Sequence, residues 1–476
     1  MNLKTTKMKK RTILTAIAAI AFLGVNTTVK AQDKDGEFKP SGNLWGYVFG
    51  DYAYKTHNDT LQRGGGAVQY KGFNSLNSAN TSANTNAPAL VQTNAFQIRR
   101  MYLGYDYQFA KNFSAKIVLA NEQNYDASGL ALVTSTTPNT LTTTGGKNTV
   151  YLKYANVKWM NIFKGSDLVI GQLETNSFAS AGNTEQAWAY RSIERTIMDL
   201  HNTDASSDLG ISLQGKVMLQ HAEDSLKPMF LGYSVQVGNG NSASPETDIF
   251  KKYRGNVYVS FLKQSLTIGL YGDYAQTQFS PYHTSNTTFK AYAAYKTSWF
   301  RVGAEVFQQK NQNSDIYKVS SNGIVAGTTI ADTANGVQMG WSVFASGTIL
   351  KSKKTNQSLL SIFARYDSYN PDTKWNTNNV YSKASSAITG SNITTATFYK
   401  QTFITGGLDF CPNPRVHIMP NIWFNSYKTN MTTTGAGGTG TDLSARVKTD
   451  NDMVYRLTFY FLFNGTKKVA NNGMNL

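Results

Sequence analysis

The sequence predicts an all-β fold, a transmembrane antiparallel β-barrel of about 16 strands. The first observation is an apolar residue at every second position, repeated in segment after segment along the chain. The second is that the gaps between these segments alternate between long polar stretches and tight turns. The third is that no apolar run beyond residue 31 approaches the roughly 18 residues of a membrane helix. Such a chain can cross a membrane only as a closed barrel, because closure satisfies every strand hydrogen bond in lipid.

The stretch GVQMGWSVFASGTIL, residues 336–350, illustrates the alternation. Apolar side chains from Val337 to Val343 occupy every second position, and Gln338 and Ser342 belong to the intervening row. Faces of different polarity indicate that the strand lies between two different solvents. We therefore expect the Val337 face to meet lipid and the Gln338 face to meet water.

The N-terminal residues predict a cleaved Sec signal peptide over 1–31 and hence export. Five basic residues between Lys4 and Arg11 precede the apolar stretch Ile13–Val25, and Val29-Lys30-Ala31 fits a small-residue cleavage site. The signal contains six of the 46 Lys and Arg residues and none of the 29 Asp and Glu residues, so 445 residues with a formal charge of +11 remain. Together with the barrel, export predicts a location in the outer membrane.

The predicted strands are about ten residues long, as a tilted strand needs to be to cross the hydrocarbon layer. A short tail, 32–42, precedes the barrel at 43–463, and a second tail, 464–476, follows it. The 16 segments lie near 43–55, 95–107, 113–121, 148–159, 167–175, 207–215, 229–238, 253–262, 265–276, 287–296, 299–309, 337–349, 358–368, 398–410, 415–426 and 452–463.

The connections predict which end of the barrel is which. Gaps after odd-numbered segments are often long and rich in Asn, Thr, Ser and Gly, whereas those after even-numbered segments are mostly short. Long extracellular loops and short periplasmic turns are typical of outer-membrane barrels, and a β-sandwich has no reason to sort its loops in this way. The long gaps are 56–94, 122–147, 176–206, 310–336, 369–397 and 427–451; the short ones are 108–112, 160–166, 263–264, 297–298 and 411–414, with 216–228 longer.

The interior is expected to be a water-filled channel. Side chains cannot fill a barrel of 16 strands, and porins of this size enclose an aqueous passage. A plugged transporter needs a globular domain before the first strand, and residues 32–42 are too few for one.

Five short motifs resemble those of the phosphate-selective porin family, in a Bacteroidota-like form: Phe96–Gly104, Ile170–Gln172, Asp208–Gly210, Val237–Gly240 and Phe363–Asp367. The resemblance spans about 43–463. It implies a 16-stranded, homotrimeric, anion-leaning channel whose third long loop, residues 176–205, folds inward.

One departure from this family bears on the solute. After Gly171-Gln172 the family has a Lys-Thr-Pro-Phe run, whereas this chain has Leu173–Phe178 with an acid at Glu174. The acid argues against strict phosphate selectivity, so phosphate is one possible anion among several.

The third loop carries the candidate constriction. In TEQAWAYRSIERTIMDL, residues 184–200, four apolar residues recur at helical spacing, and Asn183 and Gln186 fit an N-terminal capping box. On one helix, Arg191 and Arg195 fall opposite this stripe and would point into the opening. Two interpretations stay open: the pair attracts anions, or Glu194, Asp199 and wall acids neutralise it. The apolar stripe consists of Ala189, Ile193, Ile197 and Leu200.

Charges on the predicted inner faces of the strands form a second candidate set. Rows of such charges set the field inside a pore, although crossing Arg–carboxylate pairs also brace a wide barrel. The candidate pore-lining residues are Arg100, Arg254, Lys290, Arg301, Glu305, Arg365, Asp367 and Arg456.

Two rival functions remain. An interior rich in tyrosine, together with Trp423, suits a sugar or oligosaccharide channel, because sugars stack on aromatic rings. An outer-membrane enzyme is disfavoured, since none of the five histidines belongs to a known catalytic motif. The interior tyrosines in question are Tyr102, Tyr258, Tyr271, Tyr292 and Tyr460.

Other partners and cofactors are not expected. The single cysteine, Cys411, lies in a predicted turn and rules out an internal disulfide or a zinc site of cysteine type. The basic residues are scattered rather than gathered in a stripe, which argues against nucleic acid. The expected partners are outer-membrane lipid and small hydrophilic or anionic solutes, with no metal or cofactor.

Overall fold

The structure is a computed structural model that describes residues 38–57, 93–122, 150–178, 184–220, 229–246, 248–262, 265–278, 284–321, 329–373, 391–393, 399–429 and 449–464. The chain divides into the units Met1–Lys39 and Pro40–Leu476, and the fold and site lie in the second unit. The signal peptide predicted for 1–31, residues 32–37 of the first predicted tail and residues 465–476 of the second lie outside the described residues.

The described residues form long strands, one short strand and two short helices. No helix among them is long and apolar enough to cross a membrane. The helices are α1 (Thr184–Trp188) and α2 (Ile197–Leu200). The strands are β1 (Ser41–His57), β2 (Thr93–Ala110), β3 (Phe113–Glu122), β4 (Tyr151–Phe163), β5 (Ser166–Glu174), β6 (Ser207–Gln220), β7 (Met229–Gly238), β8 (Lys252–Phe261), β9 (Leu266–Gln278), β10 (Thr284–Lys296), β11 (Phe300–Ser321), β12 (Thr329–Lys351), β13 (Ser358–Asn370), β14 (Ser391–Ile393), β15 (Tyr399–Asn413), β16 (Val416–Thr429) and β17 (Asp450–Asn464).

Sixteen of the strands close into one antiparallel barrel, which confirms the predicted fold class. Each barrel strand pairs with the next in sequence, β13 pairs directly with β15, and β17 closes the ring on β1. The three-residue β14 stands outside this ring and, among the residues that the structure describes, pairs with the far end of β11, where Val319 faces Ile393.

The two faces of the wall alternate as the sequence predicts. On β12, Trp341 and Val343 point outward and are 40% and 43% exposed, whereas Ser342 points inward and is 1% exposed. Val337 is an exception, since Asp372 and Thr373 hydrogen-bond its backbone and the side chain is buried. The predicted lipid-facing row therefore begins at Met339.

Two connections differ from the prediction. Strands β11 and β12 extend through much of the gap predicted for 310–336, because the hydrogen-bond ladder of a hairpin continues through its Asn- and Thr-rich arms. Cys411 lies near the end of β15 rather than in a turn, because the strand continues to Asn413, which still pairs with Val416. Its side chain is buried. The connection at this end is thus only Pro414 and Arg415.

Candidate functional site

We call the segment between β5 and β6, residues 175–206, the third loop. Its residues 179–183 are not among the residues that the structure describes. Most of its described side chains are buried, which is unusual for a loop and means that other parts of the barrel cover them. Among the largest, Trp188 is 1% exposed and Ile193 is fully buried.

Three arginines of the inner wall hold the middle of the third loop by its backbone. Arg99 Nη1 donates to the carbonyl oxygens of Ser192 at 2.9 Å and Ile193 at 3.0 Å. Arg456 donates to the Ile193 oxygen at 3.2 Å, and Arg365 donates to the Arg195 oxygen at 2.5 Å. Hydrogen bonds from charged donors contribute roughly 1.5–3 kcal/mol each. We call Arg99, Arg365 and Arg456 the arginine clamp.

Strands on a different part of the wall hold the two ends of the third loop. Lys290 of β10 donates to the Ser177 oxygen at 3.0 Å, and Gln309 of β11 donates to the Thr203 oxygen at 3.0 Å. Near the second end, Asp204 accepts two bonds of 2.9 Å from Arg254 of β8. The clamp belongs to β2, β13 and β17, so the third loop is anchored on widely separated strands of the barrel.

Apolar side chains of the third loop pack on the wall in two clusters. Trp188, Tyr190 and Ile193 pack with wall residues that include Phe344 and Phe363, and the Tyr190 and Phe363 rings stack at 4.5 Å. A second cluster joins Phe178, Ile197 and Met198 to Tyr271 and Phe307. All four residues of the predicted apolar stripe are buried: Ala189, Ile193, Ile197 and Leu200.

The single helix predicted for 184–200 is wrong. Helix α1 ends at Trp188, Ala189 has a φ of 59°, and α2 begins only at Ile197. A continuous helix needs the carbonyl oxygens of 192–195 as acceptors for its own N–H groups. Here the arginine clamp and the Trp188 indole take them, since Trp188 Nε1 donates to the Glu194 oxygen at 3.0 Å. The predicted cap at Asn183 lies outside the described residues.

Arg191 lies among carboxylates. Its Nε is 2.8 Å from Glu185 Oε1, and its Nη2 is 3.4 Å from Asp199 and 3.7 Å from Glu122. Burial raises the pKa of Glu185, and although Arg191 opposes this, the charge of Asp199 adds to the rise. Because Asp199 and Glu122 lie beside the guanidinium as well, its charge is compensated locally by more than one carboxylate.

Arg195 is compensated in the same way. Its Nη1 is 3.4 Å from Asp199 Oδ1, and its Nε is 3.8 Å from Glu194 Oε1. Arg191 and Arg195 are each 8% exposed. The structure thus brings the four predicted constriction residues together as a cluster of ion pairs, the second of the two interpretations left open by the sequence.

The eight predicted pore-lining charges all lie on inner faces of the wall. The clearest ion pairs are Arg254 with Asp204 and Asp208, Lys290 with Glu305 at 3.0 Å, Arg365 with Asp367 at 2.5 Å, and Arg456 with Asp51 at 3.6 Å. Arg100 lies 5.9 Å from the centre of the Phe49 ring, and Arg301 lines the cavity described below.

The strand pattern missed Arg99, because strict alternation places only one of Arg99 and Arg100 inside. Both are buried, since β2 has a bulge here: Phe49 pairs with Arg100, but the next residue of β1, Gly50, pairs with Ile98. An Arg-Arg pair in an apolar strand is a signal for such a bulge, because regular alternation would place one arginine in lipid.

His201 and Asp204 show how burial acts on the groups of the third loop. Burial lowers the pKa of His201 to about 3, aided by Arg195 and Arg365, so the imidazole is neutral at physiological pH. Burial alone raises the pKa of Asp204, but Arg254 outweighs it and holds that pKa below its usual range. The stability gained from Asp204 is therefore present above the usual aspartate range and is lost only as the pH falls through the lowered value.

A cavity of about 580 Å³ lies between the third loop and the short turns. Its loop side is formed by Glu185, Gln186 and Arg191, and its opposite end by residues 297–301 and 356–358. Side chains of β1, β2 and β3 line one flank, among them Trp45, which the sequence did not single out. Within the described part of the chain, no three His, Cys, Asp or Glu residues are grouped to hold a metal ion.

A charge-balanced substitution tests whether Arg191 acts as an unpaired cation. Replacing Arg191 and Glu185 together with Gln should leave the zero-current potential in asymmetric salt nearly unchanged, because both members of a pair disappear. Arg191→Gln alone leaves the buried Glu185 carboxylate without its cation. This should destabilise the loop by about 3–5 kcal/mol, unless Glu185 takes up a proton. A clear shift of the double variant towards cations would instead identify Arg191 as an uncompensated anion site.

Comparisons with known proteins return matches only among solved structures. No family model and no curated protein matches the chain. An anion-selective porin from Comamonas acidovorans is 13% identical, with a TM-score of 0.47 and coverage of 89% of this chain and 100% of that one. The channel DcaP of Acinetobacter baumannii is 11% identical, with a TM-score of 0.47 and coverage of 89% and 97%. OmpF of Salmonella typhi is 12% identical, with a TM-score of 0.42 and coverage of 88% and 97%.

Proposed function

We propose that this chain is an outer-membrane porin, a water-filled passive channel for small hydrophilic solutes. One observation carries the proposal: a closed barrel of 16 strands has an apolar outer face and an inner face lined with charged and polar side chains. A closed barrel is the β-structure that lipid tolerates, and 16 strands enclose more space than wall side chains fill.

The proposed orientation places the short turns in the periplasm and the long connections outside the cell. The short turns include Lys111-Asn112, Lys164-Gly165 and Pro414-Arg415, and the connection between β7 and β8 lies at the other end. The leader proposed for residues 1–31 exports the chain, and the family resemblance suggests a homotrimer.

Cysteine labelling tests this orientation. In a Cys411→Ser background, Ser244→Cys, in the connection between β7 and β8, should react with an impermeant maleimide on intact cells. Asn112→Cys, at the opposite end, should react only after the outer membrane is opened. Labelling of Asn112→Cys on intact cells with silence at Ser244→Cys would reverse the orientation.

The third loop is the proposed narrowing of the channel, with Arg191, Glu194, Arg195 and Asp199 at the constriction. Its anchors on β2, β8, β10, β11, β13 and β17 support a path across the lumen, because these strands are widely spaced around the ring. Solutes pass beside this segment, so we expect a narrow channel.

The proposed selectivity is a modest preference for anions. Because Arg191 and Arg195 are paired with acids, the preference must come from the overall charge rather than from one binding site. Phosphate is then one of the permeating anions, as the family resemblance suggests. Exposed basic residues near the short turns support this preference for anions: Lys111, Lys164, Lys353, Lys354 and Arg415.

Swelling of proteoliposomes tests the proposed function. Vesicles with the purified protein should swell in isotonic solutions of small neutral solutes, at rates that fall steeply with solute size. In asymmetric potassium chloride the zero-current potential should favour chloride, and less so near 1 M salt, where the Debye length is about 3 Å. Vesicles that swell no faster than protein-free ones would contradict the porin, whereas a potential that favours potassium would contradict only the anion preference.

A further inference from the structure

The cavity between the third loop and the short turns has the size of a small-molecule site. Its volume of about 580 Å³ lies within the roughly 300–1,000 Å³ of typical ligand pockets. One flank is a continuous patch of wall in which Trp45 of β1 pairs with Gly104 of β2, and Asp106 of β2 pairs with Lys116 of β3. All but Gly104 line the cavity.

The indole of Trp45 lies flat on this patch. A Cβ atom at Gly104 would overlap the indole ring, so only glycine lets the ring lie against the backbone. Trp45 Nε1 donates to Asp106 Oδ2 at 2.9 Å, which fixes the orientation of the ring. The wall covers the ring at Gly104, and Trp45 is half-buried and lines the cavity, so the indole surface that the wall leaves open faces the cavity.

Tyr47 and Phe49 continue the aromatic surface along β1. The centroids of Trp45 and Tyr47 are 6.2 Å apart with an interplanar angle of 13°, and those of Tyr47 and Phe49 are 6.3 Å apart with an angle of 6°. The three nearly parallel rings therefore form a strip inside the barrel that runs from the short-turn end towards the third loop.

Charged groups beside Trp45 keep hydrogen-bonding capacity towards the cavity. Lys116 Nζ is 2.7 Å from Glu174 Oε1, and these side chains are 33% and 34% exposed, unlike the buried pairs of the third loop. A carboxylate has two oxygens that accept several hydrogen bonds, and an ammonium group donates three. Asp106, Lys116 and Glu174 together carry a net charge of −1, so this patch does not favour an anion.

We infer that this cavity is a carbohydrate-binding subsite in which a neutral sugar ring packs on the open face of Trp45. A pyranose has a face of C–H groups, which suits an indole, and a rim of hydroxyl groups, which suits Asp106, Lys116 and Glu174. A planar aromatic solute would match the indole but would offer no hydrogen bonds to the remaining donors and acceptors of the charged groups. The subsite rests on the proposed function, because its ligand is a solute that enters the channel.

Blocking of the ion current by a sugar is the direct test. A bound sugar lies next to the narrowing formed by the third loop, so it should obstruct ion flow. Maltotriose, added to either side of a planar bilayer, should reduce the current through the wild-type channel in a saturable way. Trp45→Ala should raise the half-blocking concentration about three- to tenfold, the loss expected for one aromatic contact.

Two further variants make the test specific. Trp45→Phe keeps a flat ring over Gly104 but loses the bond to Asp106, so its half-blocking concentration should fall between those of the wild type and Trp45→Ala. Trp341→Ala removes the same residue type from the outer face of β12, and maltotriose should block this variant at the same half-blocking concentration as the wild type.

Several results would overturn the subsite while leaving the porin intact. These are a conducting wild type that maltotriose does not block, equal blocking of wild type and Trp45→Ala, or Trp45-dependent blocking by benzoate but not by maltotriose. A folded wild type that carries no current contradicts the proposed function instead. Calorimetric titration with maltotriose then decides the subsite: heat of binding that disappears in Trp45→Ala supports it, and no heat in the wild type overturns it.

Discussion

Val343→Arg is expected to prevent stable assembly of the barrel. Val343 points outward near the middle of β12 and is 43% exposed, between Ala304 of β11 and Tyr366 of β13. An arginine on the lipid face near the bilayer midplane costs roughly 2–4 kcal/mol. The loss should appear as a lower fraction of folded, heat-modifiable protein on gels of outer-membrane fractions.

Ser346→Arg is the matched control. Ser346 lies three residues further along β12 on the inner face and lines the cavity, so an arginine there stays in water. Arg301 lies directly opposite, and like charges at such a position cost only about 0.2–1 kcal/mol. The control should assemble. Equal assembly of both variants would contradict either the assigned faces of β12 or the lipid around them.

Arg365→Gln with Asp367→Asn is expected to loosen the third loop and to produce a larger and noisier conductance. Arg365 donates to the Arg195 carbonyl oxygen and pairs with Asp367, so changing both removes one member of the clamp without leaving a buried carboxylate alone. The loss of a charged hydrogen bond, about 2 kcal/mol, corresponds to about a 30-fold rise in the population with a displaced loop. Single-channel recording measures both the conductance and its fluctuations.

Lys158→Gln with Asp167→Asn is the control for this double variant. This pair is 3.9 Å apart, partly exposed and at the short-turn end, without a hydrogen bond to the described residues of the third loop. Its removal should leave the conductance and its noise unchanged. If the clamp variant behaves like this control, Arg365 does not hold the third loop in its conducting position.

The strand order and the facing of the wall follow from the sequence because each strand separates two solvents. On β12, the row that contains Trp341 and Val343 is apolar, and the row that contains Ser342 is not. This contrast fades where both faces meet water, so the extensions of β11 and β12 through much of 310–336 were missed. The bulge at Arg99 was missed for a different reason. Strict alternation assumes one residue per position on each strand, whereas a bulge adds an extra residue to one of them.

The third loop shows where local periodicity fails. The apolar residues recur at helical spacing and are buried, yet the backbone between Trp188 and Ile197 is not helical. Side chains distant in sequence, such as Arg365 and Arg456, take the carbonyl oxygens that a helix would use. The ion pair of Arg191 with Glu185 likewise depends on this backbone path, and sequence spacing alone left its neutralisation open.

Single-channel recording of the purified wild-type protein in planar bilayers tests the central claim, a water-filled channel narrowed by the third loop. For the wild type we expect discrete current steps of uniform size, with a conductance that rises with salt concentration. When residues 184–204 are replaced by a short Gly-Ser linker, we expect the steps to become larger. A folded protein that inserts without any current step would contradict the channel. Steps of unchanged size after the replacement would contradict the third loop as its narrowing.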